Sequence, residues 1–254
     1  MQANSDCVLY LAAGRRAGAE EQDDLTITDV VYLDVGLCPE GLRQDRRSGD
    51  KSALCEEPSP LGLFGRQAPG TTATFLALVR SGAYNGTTFS KVLPGRWIQA
   101  GRQGSPRMGA VALPPDMPCN DDLLAARSFR LRHSSPGTVS LAVAENDDDA
   151  RLKSGRNYHN AEFLVTTGPG PVPALDGENI VMGRVLEGLG TVAQVAAVPT
   201  FQPNERVQAL NQVASLIGDG RAAKVRAKYG QPLRAVVIRD SGVLPIREPF
   251  VWQG

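Results

Sequence analysis

The chain is 254 residues long, with 27 Lys and Arg balanced by 27 Asp and Glu, so it lacks the cationic surplus of a sequence-independent nucleic-acid binder. A hydrophobic content of 42% supports a sizeable core, 27 Gly and 18 Pro announce many turns, and no apolar run approaches the roughly 20 residues of a membrane-spanning helix. One domain carrying insertions and tails fits this length better than two full domains.

Residues 1–25 read as a mobile N-terminal segment, with Val8 to Leu11 the only stretch apolar enough to dock. It lacks the basic start and apolar core of a secretory signal, and Glu20, Glu21, Asp23 and Asp24 are unlike an organellar transit peptide. Thr28 to Val35 alternates as a strand, Val31, Leu33 and Val35 on one face and Val30 and Tyr32 on the other. The polar stretch from Pro39 to Pro58 reads as a surface insertion, and PLGLFG at 60–65 resumes a short strand. The next apolar run, closed by Gly82, predicts a helix with Thr71 or Thr72 as its cap.

Further strands are expected at 88–93, 97–100, 138–142, 162–166, 180–185 and 234–239, with a second helix at 190–197. Many short strands with two flanking helices predict a closed antiparallel barrel rather than a βαβ fold. Asn204 can cap a further helix whose stripe of Val207, Leu210, Val213 and Ile217 either packs on the barrel or meets a partner. The tail aromatics Phe250 and Trp252 face the same alternative.

Little of the usual chemistry is present. The only histidines are His133 and His159; Cys7, Cys38, Cys55 and Cys119 form no C-x-x-C pair, and no P-loop, dinucleotide fingerprint or G-x-S-x-G occurs. No metal and no cofactor is expected. Cys38 and Cys55 bracket the first insertion and are either a disulfide or two unrelated thiols.

Four collinear segments carry a resemblance. They are APGTTATFLALVRSGAYNGTTFSKVLPGRWIQAG at 68–101, SFRLRHSSPGTVSLAVA at 128–144, LDGENIVMGRV at 175–185, and the closing strand at 233–244. Together they resemble the cyclophilin family: a helix, a Tyr-Gly turn, the strand F-x-[basic]-[aliphatic]-[aliphatic]-P-G running into Q-x-G, and the Leu-Asp-Gly turn. The resemblance implies an eight-stranded antiparallel barrel closed by two helices, with an extra helical insertion near the C-terminal end. It sets a cyclophilin-like domain at 26–244, with insertions at 36–58, 145–159 and 200–230, and a C-terminal tail at 245–254.

It also implies peptidyl-prolyl cis/trans isomerase activity on proline-containing polypeptide segments, without nucleophile or metal. Lys91 stands where the family pattern has its catalytic arginine, and Phe163 matches the aromatic at the floor of the proline pocket. Trp97, Gln99, Ala142, Leu175 and Asn179 match further substrate-binding positions. Several matches are imperfect. Arg96 replaces an aromatic, Trp97 an aliphatic residue, Val143 an asparagine, Ala161 a glutamine, Ala174 an aromatic and Asn179 a histidine. The resemblance therefore implies reduced activity, or a catalytically silent binding module that assists assembly of a membrane protein complex. Its finer features look most like divergent plant and algal chloroplast cyclophilins, which implies a chloroplast location, association with the thylakoid and a thylakoid membrane complex as partner.

Overall fold

The structure is a computed structural model and describes residues 23–37, 59–118, 120–143, 160–204, 207 and 228–252. Most of the 36–58 insertion with both its cysteines, the 145–159 loop and the body of the helix expected after Asn204 lie outside these residues. Asn204 Oδ1 does accept the Val207 amide at 2.9 Å, the bond expected of a cap.

Chain order runs β1 (Thr26–Ile27), β2 (Asp29–Leu37), β3 (Ser59–Leu63), α1 (Pro69–Arg80), β4 (Thr87–Leu93), β5 (Trp97–Ala100), β6 (Thr138–Leu141), β7 (Phe163–Thr166), β8 (Ile180–Val185), α2 (Leu189–Ala196), β9 (Val236–Leu244) and β10 (Phe250–Val251). Eight of the strands close into a barrel in the order β2-β3-β8-β6-β7-β5-β4-β9, every neighbouring pair antiparallel. This is the architecture expected from sequence; the second helix lies within one residue of its predicted bounds, while the first ends at Arg80 as expected but starts earlier, at Pro69. Among the described residues no helix is long and apolar enough to cross a membrane.

The pleat decides what fills the barrel. Val31, Leu33 and Val35 of β2 enter the main core, as their alternation predicted, while Val30 joins a smaller outer cluster with Ile27, Phe64, Leu131 and Val181. Phe75 of α1, Tyr84 and Phe163 of β7 meet at the barrel's heart, each pair of ring centroids 5.4 Å apart. The buried Tyr84 hydroxyl donates to the Ala161 carbonyl at 2.8 Å, so the aromatic cluster also fixes the chain entering β7. Gly101, at φ +86, ends β5 where a Cβ would stand 2.3 Å from that carbonyl; only glycine can pass there.

Helix α1 is capped differently from the sequence expectation. It starts at Pro69, so Thr71 and Thr72 lie within the helix, and Ala68 offers no capping side chain. Pro69 starts the helix, since proline at the first position needs no donor there and has its φ preset for the helix. The missing acceptor comes from Asp122, whose Oδ2 takes the Thr71 amide at 2.7 Å although the two are 51 positions apart. Asp122 is only 3% exposed, so this carboxylate both satisfies an orphan N–H and faces the positive end of the helix dipole. Asp122→Ala is expected to cost about 1–3 kcal/mol, read as a lowered urea midpoint, because the Thr71 amide is left buried and unpaired.

The ends of the described chain close over the barrel. β1 pairs with β10, and the Trp252 amide donates to the Leu25 carbonyl at 3.1 Å. Of the two tail aromatics, Trp252 packs on the smaller outer cluster beneath the Arg184 guanidinium, 5.1 Å from its ring centroid; Phe250 stays 43% exposed.

Candidate active site

Four neighbouring strands, β4, β5, β7 and β6, carry the candidate residues, and their register sorts them by face. Lys91 lies opposite Gln99, Gln99 opposite Leu164, and Leu164 opposite Ser140. Directly opposed residues share a face, so these four form one row across the outside of the barrel. A parallel row holds Leu93, Trp97 and Thr166. Trp97, Ala142, Leu164, Val172 and Leu175 pack into one apolar cluster on this outer face, with Leu93 at its margin. Lys91 therefore sits at one end of an apolar floor, two strand spacings, or about 10 Å, from Leu164.

The register corrects the reading of Phe163. It opposes Ala100 and Leu141, points into the barrel and is 1% exposed, so it is core and not the floor of an outer pocket. Its neighbour Leu164 holds the outer position. The same one-residue step places Glu162, not Ala161, beside Gln99: the Gln99 amide Nε2 donates to the Glu162 carboxylate at 3.1 Å. Both side chains are buried, Gln99 at 3% and Glu162 at 7% exposure, so the presumed backbone-binding amide is already engaged by a carboxylate.

Asn179 is corrected as well. It is 2% exposed; its Oδ1 accepts the Val143 amide at 3.0 Å and its Nδ2 donates to the Leu175 carbonyl at 3.4 Å. Asn179 thus staples the Leu175 turn to the strand end after Ala142, and it supports the site from behind without facing a peptide. Ala142 and Leu175 are buried in the apolar cluster with Trp97, Leu164 and Val172, whereas Ala174 is exposed.

Arg96 and Trp97 account for the altered pocket. Trp97 is 9% exposed and fills the apolar cluster where a smaller aliphatic side chain would leave room. The exposed Arg96 folds back over it, its guanidinium carbon 4.5 Å from the indole centroid. The Trp97 Nε1–H is buried with no acceptor among the described residues. On the other flank, Gly230 packs against β4: its carbonyl accepts the Val92 amide at 2.7 Å, and a Cβ at its φ of +74 would stand 3.2 Å from Lys91 Cγ. The absent side chain leaves the stem of Lys91 its path.

A buried relay ties the site's far wall together. His133 Nδ1 lies 2.9 Å from Asp176 Oδ1, His133 Nε2 lies 3.0 Å from Ser140 Oγ, and the His133 amide donates to the same Asp176 oxygen at 2.7 Å. These partners select the neutral tautomer with Nδ1–H donating to the carboxylate and Ser140 donating to Nε2. The geometry is that of a Ser-His-Asp relay, yet Ser140 is 0% exposed, so no acyl group could reach it. The relay is structural: it locks the turn bearing Leu175 to β6. The two partners of His133 come from 7 and 43 positions away, and no local sequence pattern points to them.

Burial pushes the His133 pKa below the ordinary 6.5, and the nearby Asp176 carboxylate only partly offsets it. Below pH 6.5 the unfolded chain takes up a proton that the folded chain refuses. Stability is therefore fully present above that pH and is lost as pH falls from about 7 through the lowered folded value. Urea midpoints measured from pH 7.5 to 5 should fall more steeply for the wild type than for His133→Gln. Parallel slopes would reject this account.

Comparisons with known proteins agree with this architecture. The family model described as cyclophilin type peptidyl-prolyl cis-trans isomerase/CLD matches residues 60–215. The peptidyl-prolyl cis-trans isomerase CYP28, chloroplastic, of Arabidopsis thaliana is 40% identical over 237 residues, which span 89% of this chain and 84% of that protein. Peptidyl-prolyl cis-trans isomerase-like 1 of Gibberella zeae is 29% identical over 158 residues, 62% of this chain and 86% of its own. Among solved structures, a cyclophilin type peptidyl-prolyl cis-trans isomerase of Cryptosporidium parvum covers 86% of this chain and 98% of its own at a TM-score of 0.50 and 18% identity, a likeness of fold. A family match over most of the barrel and a relative aligned along nearly the whole chain identify this protein as a member of the cyclophilin-type peptidyl-prolyl cis-trans isomerases.

Proposed function

We propose that the outer face of β4, β5, β7 and β6 isomerises Xaa-Pro bonds in protein substrates, with Lys91 as the catalytic cation and with less activity than a site bearing arginine there. The observation that carries this is the shared face: Lys91 and the apolar floor of Trp97, Ala142, Leu164 and Leu175 lie on the outside of the same strands. The uncatalysed barrier of about 18–20 kcal/mol comes from amide resonance, which delocalises the proline nitrogen lone pair. A site that holds the ring against an apolar surface and directs a positive donor at that nitrogen draws the lone pair out of resonance. That interaction grows as the bond twists, so it lowers the barrier without tightening the ground state equally. Lysine supplies the charge as a mobile point donor, while an arginine fork would hold both nitrogen and backbone in fixed geometry.

A second reading draws on Trp97 and Gln99. The indole fills the floor and the amide is engaged by Glu162, which favours a binding module that grips proline-containing segments and turns them over slowly or not at all. By likeness to the Arabidopsis relative named chloroplastic, we place the protein in the chloroplast. Association with the thylakoid, where a membrane complex would be its partner, rests on the sequence resemblance. Exchange spectroscopy on a cis/trans Xaa-Pro peptide separates the two readings. Line broadening or exchange peaks that scale with protein concentration mark an isomerase; peptide shifts without faster exchange mark a binder. Neither effect with any peptide would overturn both.

A further inference from the structure

We propose that Arg96 is a specificity-determining residue that selects substrates carrying an acidic residue beside the proline. This rests on the reading of the outer face as the peptide site and concerns what that site prefers. Three observations meet here. Arg96 is exposed, its guanidinium covers the Trp97 ring at 4.5 Å, and the indole is the largest apolar surface in the cluster. A proline ring that packs on the indole face of the floor competes with the guanidinium for that face.

An exposed guanidinium is held to an aromatic face only weakly, by the ring quadrupole. A carboxylate offers it paired, charge-assisted hydrogen bonds in the planar geometry a guanidinium favours. A substrate with Asp or Glu next to its proline draws Arg96 off the ring and rewards it in the same step. A neutral substrate must displace Arg96 with no replacement partner, and a basic one adds repulsion. Glu162, the carboxylate on the same face, is held by Gln99, which lies beyond Trp97 along β5, so it is engaged away from Arg96.

The test compares peptides that differ only at the residue before proline, Glu, Gln or Lys, for both kcat/KM by exchange spectroscopy and Kd by calorimetry. Wild type should prefer Glu over Lys by about tenfold, with Gln between, and the preference should shrink in 0.5 M salt, roughly as expected for an exposed charge contact. In Arg96→Ala the ratio should collapse to near one, and in Arg96→Glu it should invert. Arg96 is exposed, so these variants do not disturb the core. A wild-type ratio near one, or a ratio that survives in Arg96→Ala, overturns the proposal. Charge ordering in Kd without any isomerisation would uphold it while refuting the catalytic reading. Isomerisation indifferent to charge would do the reverse.

Discussion

Lys91→Arg is expected to raise kcat/KM for Xaa-Pro peptides by about 10- to 100-fold, equivalent to about 1.4–2.7 kcal/mol of transition-state stabilisation, and Lys91→Ala to bring the rate to the uncatalysed level. The reasoning starts from the row on the barrel's outer face. Lys91 is the basic residue opposite Gln99, at the margin of the apolar floor, and its stem runs past the bare Gly230. The longer arginine shares that stem, so the substitution requires no new space next to Gly230. What changes is the head: a planar fork fixes two or more donors at once, where the ammonium must lose rotational freedom to place one. The gain should appear mainly in kcat, since the interaction strengthens as the amide twists, with KM moving little. A protease-coupled assay at high enzyme concentration checks all three proteins side by side. Three rates equal to the uncatalysed one would remove Lys91 from catalysis and leave the binding-module reading standing.

The barrel itself could be read from sequence because each of its strands announces itself locally. Strand β2 alternates, Pro-Gly and Gly-rich turns punctuate the others, and four collinear motifs fix their order. The site was harder to read for a physical reason visible in β7. All four of its residues are buried, since one face lines the core and the other lies under Val172 and Leu175. A strand buried on both sides loses the polar-apolar alternation that tells inside from outside, and a shift of one residue exchanges the faces. Phe163 and Leu164 are equally apolar, and only the pairing of Ala100 with Phe163 and Gln99 with Leu164 settles which is which. One sequence cue was available: Glu162 has the parity of Leu164, and a carboxylate does not face the core. The caps and relays were illegible for another reason. Asp122 reaches Thr71 and Asp176 reaches His133 across 51 and 43 positions, distances over which no local pattern exists.

The same face assignment sets the expected outcome for the two neighbours in β7. Phe163→Ala should lower stability by about 3–5 kcal/mol, a fall in Tm of roughly 6–20 °C for a domain of this size, because it removes one ring of the fully buried three-ring cluster. The two remaining rings, Phe75 and Tyr84, lose their edge-on partner, and the closed barrel with α1 packed against it limits collapse into the void. Folded molecules of that variant, assayed well below the transition, should keep the wild-type KM, since the ring touches nothing on the outer face. Leu164→Ala should behave in the opposite sense. It removes support from beneath Trp97 and costs less stability, about 2–3 kcal/mol, because the outer cluster can settle inward over a smaller void. Its effect should fall on KM, which should rise about 3- to 10-fold as the apolar floor loosens and part of the proline's burial is lost. Thermal melts together with peptide KM values on both variants decide the matter. A raised KM in Phe163→Ala with an unchanged one in Leu164→Ala would place the substrate on the other side of the strand, and with it the cation and its apolar floor would no longer share a face.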